Sequence, residues 1–258
     1  MKTSQRKLEE LLWVLGLSRA ARSLRRVLRG PRALRDRRLM RQFFAPLLPP
    51  GALVFDVGAN VGTLTEVFAS LGAKVIAVEP NPDCARHIQL VTERAAVEVI
   101  QAAAGGKAGT AILHVADRRD KMSSLSEEWC EAMRKQSKVH EGIWTREITV
   151  PVVTLDALIE KYGMPHYIKI DVEGYEENVL DGLSRQPSLL SFEFNRAYFD
   201  TAICCLEKKL LDRSLFNFTV VDPIRFELPE WVGREALRNK LIALGEEKGL
   251  GDVFVRRP

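Results

Sequence analysis

A chain of 258 residues, 46% hydrophobic and 28% charged, is long enough for one full core and has the mix of an ordinary globular domain, which excludes a low-complexity or disordered protein. Its net charge of +4 is unevenly placed: residues 1–42 hold 13 Lys/Arg against 3 Asp/Glu, and the remainder 25 against 31. A weakly acidic domain therefore carries a basic arm. The four cysteines, Cys84, Cys130 and the adjacent Cys204 and Cys205, fall in no metal-ligand spacing and read as reduced thiols in a cytosol.

In the arm, Leu8, Leu11, Leu12, Leu15, Leu24 and Leu28 alternate with Arg19, Arg22, Arg25, Arg26 and Arg29. The pattern predicts one or two amphipathic helices, broken at Gly30-Pro31 and resuming toward Phe43-Phe44. Its apolar part, Leu11 to Leu17, is too short to span a bilayer, and arginines stand where a secretory cleavage site belongs. The arm suits a cap over the acceptor site, or attachment to anionic lipid; nucleic-acid binding is disfavoured because no recognition motif accompanies the charge. Residues 1–50 are read as a basic helical extension and 51–258 as the domain proper. The expected location is cytoplasmic, with peripheral contact at the inner membrane surface as an option for the arm.

The domain opens with a short apolar run from Leu53, bounded by Pro49, Pro50 and Gly51, and so a buried strand. The strand ends at Asp56 and gives way to a glycine-rich turn through Gly58, Asn60 and Gly62, after which Leu64, Val67, Phe68 and Leu71 recur at helical spacing. Strand, glycine turn and helix build a nucleotide-sized crevice at the carboxyl edge of an open parallel sheet. A second strand, Lys74 to Val78, ends at Glu79, where a carboxylate can accept both hydroxyls of a ribose. A dinucleotide fingerprint needs glycine where this chain has Asn60, because pyrophosphate must approach the backbone there. S-adenosylmethionine has no phosphate, so the mismatch favours a methyl donor.

Cys84 to Arg94 follows as a helix and Val97 to Ala103 as a third strand, whose end at Ala102-Ala103 is where an adenine belongs. Gly105 to Thr110 is a turn, and Ala111 to Val115 pairs back as a hairpin-like strand. Asp117 to Glu147 is a long polar stretch, a lid or substrate surface. Ile148 to Val153 is a strand, and Asp156 supports the start of the helix after it. Tyr167 to Ile170 is the fourth core strand, ending at Asp171 and turning through Glu173-Gly174 into a helix. Leu189 to Phe194 is the fifth, carrying Glu193. Strands at Phe218 to Val221 and Asp252 to Val255 are expected to complete the sheet, with a helix through Cys204 to Leu211 and partly helical chain from Pro223 to Glu247.

Taken together, Phe55 to Gly62, Val78 to Pro82, Thr154-Leu155-Asp156 and Ile168-Lys169-Ile170-Asp171-Val172-Glu173-Gly174 resemble the FkbM-type methyltransferases. The resemblance runs from about Leu53 to Phe194, and the last block is its most specific part. It implies a doubly wound, mostly parallel α/β sheet of the Rossmann-like class I methyltransferase kind. It also implies S-adenosylmethionine as cofactor and O-methylation of a hydroxyl on a sugar, glycolipid or secondary metabolite, and it favours Ser123-Ser124 lying near the site.

On these grounds Asp56, Gly58, Asn60, Gly62, Glu79 and Ala103 are the candidate donor-binding residues, and Asp171, Glu173 and Glu193 the candidate catalytic ones. Any of the three carboxylates could take the acceptor proton if crowding raises its pKa. Mg²⁺ on Asp171, Glu193 and Asn195 is an alternative that is not favoured. Glu173 could instead cap its helix, and none of His87, His114, His140 or His166 is expected to act as the base. Two rival functions remain: a nucleotide-dependent oxidoreductase, which Asn60 opposes, and a non-catalytic membrane-associated adaptor that keeps the fold.

Overall fold

The computed structural model describes residues 30–92, 95–116, 122–135, 144–195, 198–221, 224–244 and 249–258. The first described element is helix α1, Gly30–Phe44. Strand β1 (Leu53–Val57), helix α2 (Thr63–Ser70), strand β2 (Lys74–Val78), helix α3 (Pro82–Thr92) and strand β3 (Val97–Ile100) then form one wound half. After them come β4 (Ala103–Ala104), β5 (Gly109–Ala116), helix α4 (Glu127–Lys135), β6 (Trp144–Val153) and helix α5 (Leu155–Tyr162). The second half comprises β7 (Tyr167–Ile170), α6 (Glu176–Asp181), β8 (Leu189–Asn195), α7 (Phe199–Leu206), β9 (Leu215–Val220), α8 (Arg234–Ala243) and β10 (Leu250–Arg256). A 3-10 turn at Lys209–Leu211 follows α7, where the sequence suggested one continuous helix.

The main sheet has seven strands in the order β3-β2-β1-β7-β8-β10-β9. Pairing is parallel from β3 to β8, and β10 runs antiparallel to both its neighbours. The strand order reverses between β1 and β7, so the loops leaving these two strands diverge and open a crevice at their carboxyl ends. Asp56 stands opposite Lys169 across that junction.

Two expectations about strands are corrected. The run Val97 to Ala103 is not one strand: a turn in which Ala102 N–H donates to the Ile100 oxygen at 2.9 Å ends β3 and redirects the chain. Ala103 then joins a separate three-stranded sheet, β4-β6-β5, to which the hairpin-like strand also belongs. β6 is antiparallel to β5 and parallel to β4.

Two apolar layers sandwich the main sheet. One face carries Phe55, Val57, Ile168, Ile170, Leu190 and Phe192, covered by α5, α6, α7 and α8. The other carries Val54, Tyr167 and Phe254, covered by Phe68 of α2 and by Met40, Phe43 and Phe44 of α1. The last part of the basic segment is thus core-forming: Phe44 is fully buried, edge-on to Phe68 at 4.9 Å. Local signals set the helix ends. Thr154 caps α5 by accepting from Ala157 N–H at 3.1 Å, and Gly163 closes it at φ 92°. Asp156 has another role beside that start, accepting Ser184 N–H with both oxygens at 3.0 and 3.1 Å. None of the four cysteines is in a disulfide, and all but Cys204 are buried. Among the described residues, no helix is long and apolar enough to cross a membrane.

Candidate active site

The turn after β1 alternates in handedness, with Gly58 at φ 77°, Asn60 at 52° and Gly62 at 74°. A Cβ on Gly58 would fall 1.7 Å from the Asp171 backbone oxygen, so only glycine lets the ends of β1 and β7 meet. The Gly58 and Ala59 N–H groups both donate to the Val78 oxygen, at 2.9 and 3.2 Å. That places the Asn60 N–H 2.7 Å from Glu79 Oε2, while Asn81 N–H donates to Oε1 at 2.8 Å. Glu79 is therefore held at both oxygens by main chain, and each keeps a lone pair for a further donor. Burial lifts its pKa to about 7, against the pull of those two N–H bonds. Asp56 is buried below, accepting the Thr65 hydroxyl at 2.5 Å. Burial raises its pKa too, opposed by the Lys169 ammonium and by Thr65. Gly62 faces away: its missing Cβ leaves room for Ile88 of α3, 3.1 Å from where that atom would lie.

The other end of the floor is built by β7 and β8. Lys169, 4% exposed in the middle of the sheet, reaches Asp171 Oδ2 at 2.6 Å. Burial works against its charge, but Asp171, Asp252 and Asp56 outweigh that and hold its pKa above the ordinary lysine value. Glu173 sits at φ 55° and Gly174 at 89°, a tight corner that Glu176 secures by accepting the N–H groups of Val172 and Gly174 at 3.0 and 3.3 Å. Burial lifts the Glu176 pKa to about 7. A side chain at 174 would strike Trp129, 2.4 Å from its Cδ1. Glu193 is half-buried and belongs to the cavity lining. Desolvation first, then Glu173 and Asp171, push its pKa well above the usual carboxylate range. One oxygen each of Asp171, Glu173 and Glu193 lie within 4.8 Å of one another, a spacing suited to a shared proton or an oxygen-seeking cation.

A cavity of about 380 Å³ joins the two ends. Of the residues singled out from sequence, Asp56, Gly58, Asn60, Glu79, Ala103, Asp171, Glu173 and Glu193 line it, and Gly62 does not. Ser123 lines it and accepts Ala116 N–H at 3.1 Å, while Ser124 Oγ donates to the Glu173 carbonyl at 2.6 Å. Met122, Leu125, Trp129 and Met133 contribute apolar side chains to the lining, and Met40 of α1 joins them. His87, His114 and His166 are not in the lining; His140 and the arm's residues 8–29 lie outside the described residues.

Lys169, Asp252, Glu176 and Trp129 belong to the site and were not singled out in the sequence. The lysine carried a usable signal: a charge inside a four-residue strand buried along its whole length has to be paired. Asp252 and Trp129 reach the site through strand order and loop docking, which leave no local trace.

A model of the methyltransferase FkbM domain matches residues 56–222. The hexuronic acid methyltransferase AglP of Haloferax volcanii is 27% identical over 142 residues, which are 54% of this chain and 53% of that protein. The chain thus spans about half the length of that curated relative. Among solved structures, a precorrin-6y C5,15-methyltransferase from Geobacter metallireducens superposes with a TM-score of 0.45 at 11% identity, covering 86% of this chain and 87% of that one. An O-methyltransferase from Bacillus cereus in complex with SAH gives 0.40 at 14% identity, covering 100% and 92%.

Proposed function

The chain belongs to the FkbM methyltransferase family, and from that premise we propose that it moves a methyl group from S-adenosylmethionine to a hydroxyl of a sugar, glycolipid or secondary metabolite. The observation that carries the donor is the Glu79 clamp: a buried carboxylate, fixed by two backbone N–H groups, with one acceptor site left on each oxygen. Adjacent ribose hydroxyls match that pair. Ala103, small, buried and in the cavity lining, suits a neighbouring purine. Asn60 in place of glycine is no obstacle to a ligand without phosphate. When bound, the donor supplies a methyl carbon on a sulfonium, open to in-line attack.

The acceptor hydroxyl belongs at the other end. Asp171 and Glu173 are placed to take its proton, and Lys169 holds Asp171 in one position. Glu193, with its raised pKa, keeps its own proton to higher pH than an ordinary glutamate and can donate to a neighbouring oxygen. Fixing the acceptor oxygen in line supplies roughly 7–11 kcal/mol of barrier lowering, against about 3–5 kcal/mol for the base. The shape of the cavity therefore matters more than which carboxylate receives the proton. The relative named for a hexuronic acid supports a sugar acceptor as a class.

Calorimetric titration with S-adenosylmethionine and S-adenosylhomocysteine, with NAD as control, tests the reading. Saturable binding of both sulfur compounds and none of NAD is expected. A folded protein that binds neither would bring forward the non-catalytic adaptor, and one that binds NAD alone would overturn the reading.

A further inference from the structure

Helix α1 has two different sides. Inward, Met40, Phe43 and Phe44 join the core, and Met40 reaches the cavity lining. Outward, Arg35, Arg38 and Arg41 are exposed at steps of three along the helix, next to Leu34, itself 41% exposed. Arg37, between them, is spoken for by its ion pair with Glu66 of α2.

The same cavity has an exposed lip of aliphatic side chains. Val221 and Leu250 line the opening and Ile224 follows close by in the chain; they are 65%, 39% and 43% exposed. The two sides are joined, for the Phe43 ring packs 4.9 Å from Phe226. Val221 stands at φ 64°, held there by its N–H bond to the Leu250 oxygen at 2.8 Å. A β-branched residue in left-handed backbone is strained. Here the strain keeps an aliphatic side chain in water at the edge of a cavity.

Single exposed aliphatics are ordinary. Two of them lining a cavity, with Ile224 three residues further along the chain, beside a helix with a row of exposed arginines, match a bilayer interface, in which apolar groups sink below the headgroups and arginines meet anionic lipid. We propose that α1 and this lip form a docking surface for an anionic bilayer, with the cavity mouth turned toward the headgroups.

The charge layout inside the cavity agrees. Among the described residues its lining holds Asp56, Glu79, Asp171, Glu173, Glu193 and Asp252 against Lys169 alone. A nucleic-acid backbone would be repelled from such an interior and would gain nothing from an aliphatic lip. An amphiphile fits: its phosphate stays among the arginines outside, and an uncharged, hydroxyl-bearing end enters. This surface does not depend on the identity of the methyl donor.

The test is co-sedimentation of the full chain with phosphatidylcholine vesicles, alone or with about a third phosphatidylglycerol. The variants are Arg35→Glu/Arg38→Glu/Arg41→Glu and Ile224→Asp, with thermal melts to confirm folding. Binding to the anionic vesicles alone is expected, fading as salt rises from roughly 0.05 to 0.5 M. The triple variant should bind on the order of a hundredfold more weakly, from about fivefold per arginine, and Ile224→Asp should also weaken binding. Triple-variant binding equal to wild type would place the contact elsewhere in the chain and overturn the proposal. So would failure of the wild-type chain to bind either vesicle, or tighter binding to an RNA oligomer that the same substitutions abolish.

Discussion

Glu79 and Glu193 stand at opposite ends of one cavity floor and are held in opposite ways. Each oxygen of Glu79 meets a backbone N–H, at 2.7 and 2.8 Å, so its position comes from the fold of the main chain. Glu193 meets other carboxylates, Asp171 and Glu173, within 4.8 Å. The first end is preassembled and tolerant of its neighbours. The second is a standing repulsion that Lys169 relieves in part, and it responds to protons. Under the proposed function, binding and chemistry would be divided: the rigid end suits a ligand that is the same in every turnover, the strained end a group that must change charge.

The comparison breaks most severely at Gly58, where the two ends touch. Gly58→Ala puts a methyl group into the Asp171 carbonyl, 1.7 Å away, and a side chain into left-handed backbone. We expect a loss of about 3 kcal/mol from overpacking and backbone strain together, read by urea denaturation. Wild-type stability in that variant would show that β1 and β7 do not meet as described.

Next in size is Glu79→Gln. Losing a charged acceptor should weaken S-adenosylmethionine roughly 10–100-fold by calorimetry, the worth of a hydrogen bond to a charged group. In the wild type, affinity should rise as pH climbs through about 7, because the ionised carboxylate accepts from both ribose hydroxyls while the protonated one does not. The variant should show no such step. A pH-independent wild type would remove Glu79 from the binding site.

The smallest effect concerns Glu193→Gln. The folded-state pKa lies above the unfolded value of 4.5, so the wild type loses stability as pH rises through that window. The substitution removes the loss and should stabilise the protein by on the order of 1 kcal/mol in alkaline buffer and by little in acid. It should slow transfer without changing donor affinity. A variant less stable at high pH than at low, relative to wild type, would reverse the electrostatic picture.

The parts of this design that are local were readable in advance. An apolar run, a glycine turn and an acidic residue at a strand end need no knowledge of the rest of the chain, and Asp56, Glu79 and Asp171 all fall in such places. What depends on strand order was hidden. Asp252 is placed opposite Glu193 by the antiparallel β10, and nothing near residue 252 announces it. Ile100 to Ala103 looked continuous because the run Ile-Gln-Ala-Ala carries no glycine or proline to mark the turn between two sheets. The basic segment misled in another way: its arginine count masks the Met40, Phe43 and Phe44 stripe that makes its last helix part of the core.

One hydrogen bond bears on how such proteins can be rebuilt. Ser124 ties the stretch carrying Trp129 to the corner at Glu173, and Gly174 lets the indole lie against that corner. The apolar wall of the cavity, which under the proposed function would face the acceptor, is therefore a detachable cassette with two mounting points, a hydroxyl at 124 and a bare α-carbon at 174. Segments of other composition grafted between β5 and β6 should seat correctly where both mountings are kept, which makes this stretch the place to re-engineer acceptor choice while leaving the donor end alone.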